Sequence, residues 1–254
     1  MERLGVIRES ESESNRFACS VGRVALGTRD AALIDGLVAE LPASRHDLII
    51  LRYPARWVEV FDRLTRVGGY RCIFADTLLY FEWTDSGEPL ECSRPTAGAE
   101  RVAAEAVGGL IEEIFADYTN HYSANPQLDR GLVAAGYAEW ATGVALDPRN
   151  EVVAVMEDGD VAGLAVVDTG GDEWDIVLAG VRPDARGRGA YGDLIVAAME
   201  RARSQGRSAC RISTQSHHAQ VMRTWERLGW RITGAFVTVH LQRDRQVTAP
   251  VDTP

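Results

Sequence analysis

Hydrophobic and polar positions in the first third of the chain follow two periods in turn. Short apolar runs rich in β-branched and aromatic residues alternate with longer stretches in which leucines recur on one helical face. Glycines and prolines punctuate these stretches. The pattern predicts a strand at 17–26, a helix at 28–41, a strand at 46–54, a helix at 55–70 and a strand at 71–83. The N-terminal region is therefore expected to be β-α-β-α-β.

A polar stretch at 84–100, which mixes Gly, Pro, Ser and acidic residues, separates this region from the rest of the chain. The elements predicted after it are helices at 101–118 and 130–146, a hairpin at 151–170, a strand at 173–181, a helix at 192–205, a strand at 208–215, a helix at 219–228 and a strand at 231–243. We expect an α/β (α+β) protein with one domain at 1–90, a second at 91–245 and a disordered tail at 246–254.

Composition and charge exclude several kinds of partner and chemistry. The formal net charge is −10, so we expect neither nucleic acid nor a membrane as a general partner. All 27 basic residues are arginine, which excludes a lysine Schiff base and a P-loop lysine. The 4 cysteines form no C-x-x-C pair, so we expect free thiols and no metal site. The N-terminus lacks a signal-peptide core and no run reaches the roughly 18 apolar residues of a membrane span, so we expect a cytoplasmic protein.

Two arginines and two glycines, Arg186–Gly189, stand between a predicted strand and a predicted helix. Backbone N–H groups at a helix N-terminus, together with the helix dipole, bind anions. Glycine lets a phosphate approach the backbone closely, and arginine pairs with phosphate oxygens in two-pronged geometry. The spacing does not fit a dinucleotide-binding fingerprint, and a P-loop would need lysine. The pattern favours a pyrophosphate site, with a basic turn of no special function as the alternative.

The pattern V-x-P-x-x-R-G-x-G, which begins at Val181, resembles the coenzyme A motif of the GNAT acyltransferase superfamily. The segment VMRTWERLGW at 221–230 is similar to the closing helix of that superfamily, A-x-x-x-Y-x-x-x-G-F. This resemblance covers residues 100–243. Three further stretches, ESNRFACSVGRV, YTNHYSANPQLDRGLVAAGYAEW and ISTQSHHAQVMRTWERLGW, look like the two-domain dTDP-4-amino-4,6-dideoxygalactose N-acetyltransferase subfamily. The N-terminal part of that likeness is loose.

The resemblance implies a GNAT fold, in which a mixed, mostly antiparallel central sheet is flanked by helices, with a partial GNAT-like domain at 1–90. Acetyl-CoA would be the co-substrate of the second domain. Its pantetheine would pair with main-chain groups of Ala179 and Val181 on the strand at 175–181, and a main-chain N–H of that strand would stabilise the oxyanion. The residues implied to hold its diphosphate are Arg186, Gly187, Arg188, Gly189, Ala190, Tyr191 and Gly192.

Three residues depart from the pattern of the superfamily. Tyr191 stands where a small residue is usual, and core packing is its favoured interpretation. His218 aligns with a frequent asparagine, and Trp225 aligns with the tyrosine that commonly protonates the departing thiolate. An indole cannot deliver that proton. Either His217, His218 or Tyr191 supplies it, or the thiolate leaves without help, or the fold only binds acyl-CoA; His218 and Tyr191 are the catalytic candidates.

The polar and aromatic stretch at 116–131 is the candidate acceptor segment. His121 and Tyr122 could contact a sugar or its nucleotide, with Gln215 as a further candidate, and a plain connecting loop is the alternative. Asp168 and Glu173 could accept the proton of the incoming amine. We expect an N-acetyltransferase that acts by direct attack on a primary amine of a small metabolite, such as an aminodeoxysugar nucleotide or a natural-product intermediate. The alternatives are a protein or peptide amine and a non-catalytic acyl-CoA-binding protein. A homodimer is a possible assembly.

Overall fold

The computed structural model describes residues 7–98, 104–170 and 174–244, and the predicted tail at 246–254 lies outside them. The chain divides into two compact units, each built from separate stretches of sequence. Within the described residues, unit one consists of 7–78, 119–132 and 235–244, and unit two consists of 79–118 and 133–234. Strands β4 (Tyr70–Thr84) and β10 (Arg231–Arg243) contribute residues to both units.

Unit one is a sheet with helices packed on it, in strand order β1-β2-β3-β10-β4. Its other elements are β1 (Arg8–Glu9), α1 (Glu11–Phe17), β2 (Val21–Ala25), α2 (Leu33–Glu40), β3 (Leu48–Pro54), α3 (Glu59–Thr65) and two 3₁₀ turns (Leu41–Ala43 and His121–Ala124). Strands β2 and β3 are parallel and are joined through α2, whereas β3 pairs with β10 antiparallel. The core of unit one includes Leu37, Leu51 and Leu64, all fully buried.

The strand predicted at 17–26 is shorter in the structure, where it covers only Val21–Ala25, and a helix that was not predicted, α1, precedes it. Glu11 and Glu13 lie in its first turn and Arg16 in its last, the charge order that suits the helix dipole. The helix ends at Ala18, whose φ of 49° lies in the left-handed region. The helix was missed because this short polar segment has no apolar period to signal it.

Unit two contains β4 to β9 in the order β4-β9-β8-β7-β6-β5, with four helices. Its elements are β5 (Thr96–Gly98), α4 (Ala104–Phe115), α5 (Arg130–Leu146), β6 (Asn150–Glu157), β7 (Asp160–Asp168), β8 (Trp174–Val181), a 3₁₀ turn (Pro183–Ala185), α6 (Ala190–Ser204), β9 (Ala209–Gln215) and α7 (Ala219–Arg227). Each of the strands β5 to β8 pairs with the next in antiparallel orientation, whereas β8 and β9 are parallel. Strand β5 falls inside the segment predicted as a linker, because three residues are too few for a periodic signal.

Both faces of the sheet in unit two are covered, which explains why β6 and β7 are nearly continuous apolar runs. On one face Val153 and Ala165 pack in a core that includes the buried side of α6. On the other face Ala154 and Leu164 pack in a core that includes buried residues of α4 and α5. Gly180 of β8 allows the close approach of α4, since a Cβ there would lie 2.4 Å from the Cγ2 atom of Ile114.

Candidate active site

Strands β8 and β9 pair over only part of their length. Their parallel register runs from Trp174, opposite Cys210, to Ile176, opposite Ile212. Both strands continue beyond this point, and a cavity of about 1170 Å³ opens there, lined by residues of α4, α5, α6 and α7 as well as by the two strands. The cavity lies entirely within unit two.

The diverging part of β8 presents its main chain to this cavity. The N–H of Arg182 donates to the carbonyl oxygen of Ala162 at 2.9 Å, so Arg182 bonds towards β7. Hydrogen-bonding direction alternates along an antiparallel strand, so Gly180 also bonds towards β7. The main-chain groups of Ala179 and Val181 are therefore directed at the edge that β9 has left, and both residues line the cavity. An edge of this kind can pair with an extended ligand.

The bend between β8 and α6 brings main-chain donors to the same cavity. Gly187 and Gly189 have φ values of 76° and 86°, in the left-handed region that favours glycine. Helix α6 begins at Ala190, and Gly189 precedes it without a side-chain cap. Within the described residues, the backbone N–H groups of 187–192 have no intramolecular acceptor. The bend is exposed through Gly189, and unpaired donors beside the positive end of α6 are an arrangement that can bind an anion.

A strap from the segment before β5 holds the start of α6. The carboxylate of Asp193 accepts hydrogen bonds from the Nη1 of Arg94 at 2.6 Å and from the hydroxyl of Ser93 at 2.9 Å. Burial acts to raise the pKa of Asp193, but these donors outweigh it and the pKa is lowered. Arg94 also donates to Glu157 and to the carbonyl oxygen of Arg188. The sequence analysis missed this strap, because nothing local marks two residues about a hundred positions apart as partners.

The two arginines of the bend have different partners. Arg186 lines the cavity and donates from its Nη2 to the carbonyl oxygen of Ile114 at 2.8 Å. Arg188 lies against a neighbouring surface, where its Nη2 donates to Glu157 and to the carbonyl oxygen of Asp184. Arg186 is therefore placed to meet an anion in the cavity, whereas the side chain of Arg188 is engaged in holding the bend.

His218 lines the cavity directly before α7. Its Nδ1 lies 2.9 Å from the hydroxyl oxygen of Thr214, and its ring centroid lies 5.3 Å from that of Tyr118. Burial, with a contribution from the neighbouring His217, lowers the pKa of His218 to about 4. The imidazole is consequently neutral near pH 7, a state in which one ring nitrogen can accept a proton and the imidazolium that would act as an acid is not populated.

Tyr191 and Trp225, two of the residues that depart from the family pattern, contact each other. The indole Nε1 of Trp225 donates to the hydroxyl oxygen of Tyr191 at 3.2 Å, and both residues line the cavity. Tyr191 also packs against the core of unit two, as its core-packing interpretation expected. Burial raises the pKa of the Tyr191 phenol, while the hydrogen bond from Trp225 acts in the opposite direction.

Aromatic rings form another wall of the cavity. The rings of Phe115, Tyr118 and Tyr137 lie within 5.6 Å of one another, centroid to centroid. The hydroxyl of Tyr118 donates to the side-chain oxygen of Gln215 at 2.7 Å, so Gln215 orients this wall and does not itself line the cavity. Tyr118 belongs to the predicted acceptor segment at 116–131, whereas Phe115 and Tyr137 were not predicted, because apolar residues on a helix give the same signal whether they face a core or a cavity.

The other two predicted substrate residues lie in unit one and do not line the cavity. His121 is buried, and its Nδ1 lies 2.9 Å from the Nε2 of His240. The hydroxyl of Tyr122 accepts a hydrogen bond from Arg23 at 2.6 Å and donates to the carboxylate of Glu13. Their polar atoms are thus engaged with partners inside unit one.

Other predictions about the site concern metals and proton acceptors. Across the ranges that the structure describes, no group of three His, Cys, Asp or Glu side chains could hold a metal ion. Asp168 is the last residue of β7 and does not line the cavity, and Glu173 lies outside the described residues. Among the described helices, none combines the length and apolarity that crossing a membrane requires.

Comparison with known proteins shows a family likeness over the part of the chain that contains the cavity. Residues 110–230 match the model of the acetyltransferase (GNAT) family, and this stretch contains β8, the glycine bend, α6 and α7. The match supports the GNAT superfamily, and the predicted mixed, mostly antiparallel sheet flanked by helices is confirmed. A search of curated proteins found no match.

Solved structures share the fold at low sequence identity. A GCN5-related N-acetyltransferase from Sphaerobacter thermophilus is 14% identical, with a TM-score of 0.60 over 94% of this chain and 76% of the other. A tandem GNAT protein from the clavulanic acid biosynthesis pathway is 13% identical, with a TM-score of 0.55 over 87% and 75%. A GNAT-family putative acetyltransferase from Novosphingobium aromaticivorans is 17% identical, with a TM-score of 0.51 over 83% and 82%. At these identities the likeness concerns the fold alone.

Proposed function

We propose that this protein is an N-acetyltransferase that moves an acetyl group from acetyl-CoA to a primary amine of a small metabolite. The observation that carries the proposal is the combination, in one cavity, of an open strand edge at Ala179 and Val181 with the unpaired amides of 187–192. An acyl-CoA is a ligand that needs both, because it joins an extended, amide-bearing arm to a diphosphate.

The residues of the bend fit a diphosphate. Six main-chain donors and a helix N-terminus suit its negative oxygens, and the space beside Gly187 is open, with no heavy atom within 4 Å of an added Cβ. Arg186, Arg223 and Arg227 also line the cavity and supply positive charge to a protein whose net charge is −10. Acetyl-CoA would supply an activated thioester in this site.

The chain supplies the groups that direct attack of an amine requires. A main-chain N–H at the open edge of β8 can donate to the thioester oxygen as negative charge develops there. Neutral His218, oriented by Thr214, is placed to accept the proton that the attacking nitrogen loses. The aromatic wall of Phe115, Tyr118 and Tyr137 gives the acceptor a surface that also attracts a cationic amine before it is deprotonated.

Binding and turnover test this proposal separately. Calorimetry with acetyl-CoA and with adenosine 3′,5′-bisphosphate measures whether the cavity takes a CoA. Release of free thiol is then followed with amines of three classes: aminodeoxysugar nucleotides, small arylalkyl and aliphatic amines, and peptides with free amino groups. We expect acetyl-CoA binding and amine-dependent thiol release with at least one small amine. Binding without thiol release from any class would favour a non-catalytic acyl-CoA-binding protein, and turnover of peptides alone would favour a protein amine.

A further inference from the structure

The phenol of Tyr191 and the indole of Trp225 meet at the cavity wall in a fixed donor–acceptor order. An indole N–H can only donate, so the hydroxyl oxygen of Tyr191 is the acceptor in their 3.2 Å hydrogen bond. A phenol that accepts on its oxygen still carries its own proton to donate. No residue in the described ranges accepts that proton, and Tyr191 lines the cavity.

The indole is held rigidly by the core of unit two. Trp225 is 1% exposed, its ring contacts Phe81 edge to face at 5.1 Å between centroids, and Trp230 lies 6.4 Å away. Its N–H direction is therefore set by packing. Because one lone pair of the Tyr191 oxygen is bound to this N–H, the phenolic O–H is turned away from α7.

We propose that Tyr191 is the proton donor to the sulfur that departs in the acyl transfer, and that Trp225 is the residue that positions the phenol. This inference rests on the proposed function. The amine nitrogen forms a bond to the acetyl carbon, the carbon–sulfur bond breaks, and its electron pair goes to sulfur. The hydroxyl of Tyr191 gives its proton to that sulfur, and His218 takes the proton that the nitrogen loses. The products are the N-acetyl amide and CoA with a free thiol, and one proton returns from His218 to Tyr191 through solvent.

Other groups in the cavity are less suited to this role. The hydroxyl of Tyr118 already donates to Gln215. His218 is neutral near pH 7, since its pKa lies at about 4. Tyr191 remains protonated at that pH, because burial raises the pKa of its phenol. Of these three residues, Tyr191 is the one whose proton is available to a leaving thiolate.

The test compares Tyr191→Phe, Trp225→Phe and the exchange Tyr191→Phe/Trp225→Tyr with the wild-type protein. Tyr191→Phe is expected to lower kcat about 100-fold, within the range for loss of general acid catalysis, while acetyl-CoA affinity stays within about threefold. Trp225→Phe is expected to lower kcat about tenfold, as for one lost hydrogen bond. The double variant Tyr191→Phe/Trp225→Tyr returns a phenol to the same wall, now from α7. Its kcat should be at least about tenfold higher than that of Tyr191→Phe. Tyr53→Phe, which changes a buried tyrosine of unit one, serves as the matched control and should leave kcat unchanged.

A second readout needs no substrate. The indole N–H resonance of Trp225, identified by its loss in Trp225→Phe among the 6 tryptophans, should move upfield in Tyr191→Phe because the hydrogen bond is lost. An unmoved resonance, unchanged kcat in Tyr191→Phe, or loss of acetyl-CoA binding in that variant would each overturn the assignment. Absence of rescue in the exchange variant, with binding intact, would also contradict it. Failure of the wild-type protein to bind acetyl-CoA or release thiol would instead defeat the proposed function itself.

Discussion

The two units of this chain differ in the kind of polar group that they leave unpaired. In unit one, Glu13 accepts two hydrogen bonds from Arg23 and His121 bonds His240, although the buried carboxylate of Asp76 and the Nδ1 of His240 have no hydrogen-bond partner among the described residues. In unit two, the main-chain donors of 187–192 are left without an internal partner beside a large cavity. Since unpaired main-chain donors forgo stability, their clustering beside a cavity supports the ligand site proposed in unit two, while the paired side chains of unit one stabilise its fold.

Acid is expected to destabilise unit one, which buries two histidines side by side. Burial, aided by Arg23, lowers the pKa of His240 to about 4, and burial lowers the pKa of His121 well below its usual value. A histidine whose folded pKa is depressed contributes stability that is complete above its unfolded pKa of 6.5 and is lost as the pH falls through 4. For His240 the loss amounts to about 3 kcal/mol. Backbone hydrogen exchange in β3, corrected for its intrinsic pH dependence, should show this opening below pH 6.

Variants at two histidines sharpen that measurement. His240→Gln removes the titrating group but keeps hydrogen-bonding capacity, so the pH dependence of exchange in β3 should become shallower. His46→Gln, which changes a histidine of the same unit that pairs with Glu9, is the control and should retain the steep dependence. Equal protection of β3 at pH 7 and pH 4.5 in the wild-type protein would contradict the role given to the buried pair.

A side chain placed in the glycine bend should block the open main-chain donors of unit two. Gly189→Leu places a side chain at a φ of 86° and covers donors at the start of α6, so we expect acetyl-CoA affinity to fall at least about 100-fold. Gly206→Leu imposes the same backbone strain at the other end of α6, where φ is 72° and no atom is crowded. Calorimetry should find the affinity of the Gly206 variant close to that of wild type. Retained affinity in Gly189→Leu would show that the bend is not where the diphosphate binds.

Removing the positive charge of Arg23 in unit one should lower the stability of the fold without changing acetyl-CoA binding. Arg23→Leu leaves the carboxylate of Glu13, which is 4% exposed, with Tyr122 but without its charge partner. Because Arg23 is partly exposed, we expect the free energy of unfolding to fall by about 2 kcal/mol, less than for a fully buried pair. Acetyl-CoA affinity of the folded variant should be unchanged.

The matched control for this change is Arg66→Leu, which breaks the exposed pair with Asp62 in the same unit and should cost under about 0.5 kcal/mol. Denaturant unfolding measures both variants. If Arg23→Leu weakened acetyl-CoA binding as much as it weakened folding, the separation of roles between the units would not hold.

Local patterns predicted most of the fold and part of the candidate site. The hairpin of β6 and β7, the buried helix α6 and the glycine bend all lie where period and glycine spacing placed them. Helix α1 and strand β5 were missed because each is too short or too polar to carry a period. The predicted role of His121 and Tyr122 as substrate contacts is still a prediction, and their side chains have partners within unit one.

The sequence by itself determined most of the elements and where the chain bends, because hydrophobic period and glycine act within a few residues, and its lack of lysine excluded lysine chemistry. Only the tertiary structure decided which of those elements leave groups unpaired. Three features of the site depend on residues at least 34 positions apart. They are the partial pairing of β8 with β9, the strap from Arg94 to Asp193 and the hydrogen bond from Trp225 to Tyr191. Contacts at such separations depend on how the sheet and helices pack together, and it is packing that turns a glycine-rich bend into a site with open donors and a positioned phenol.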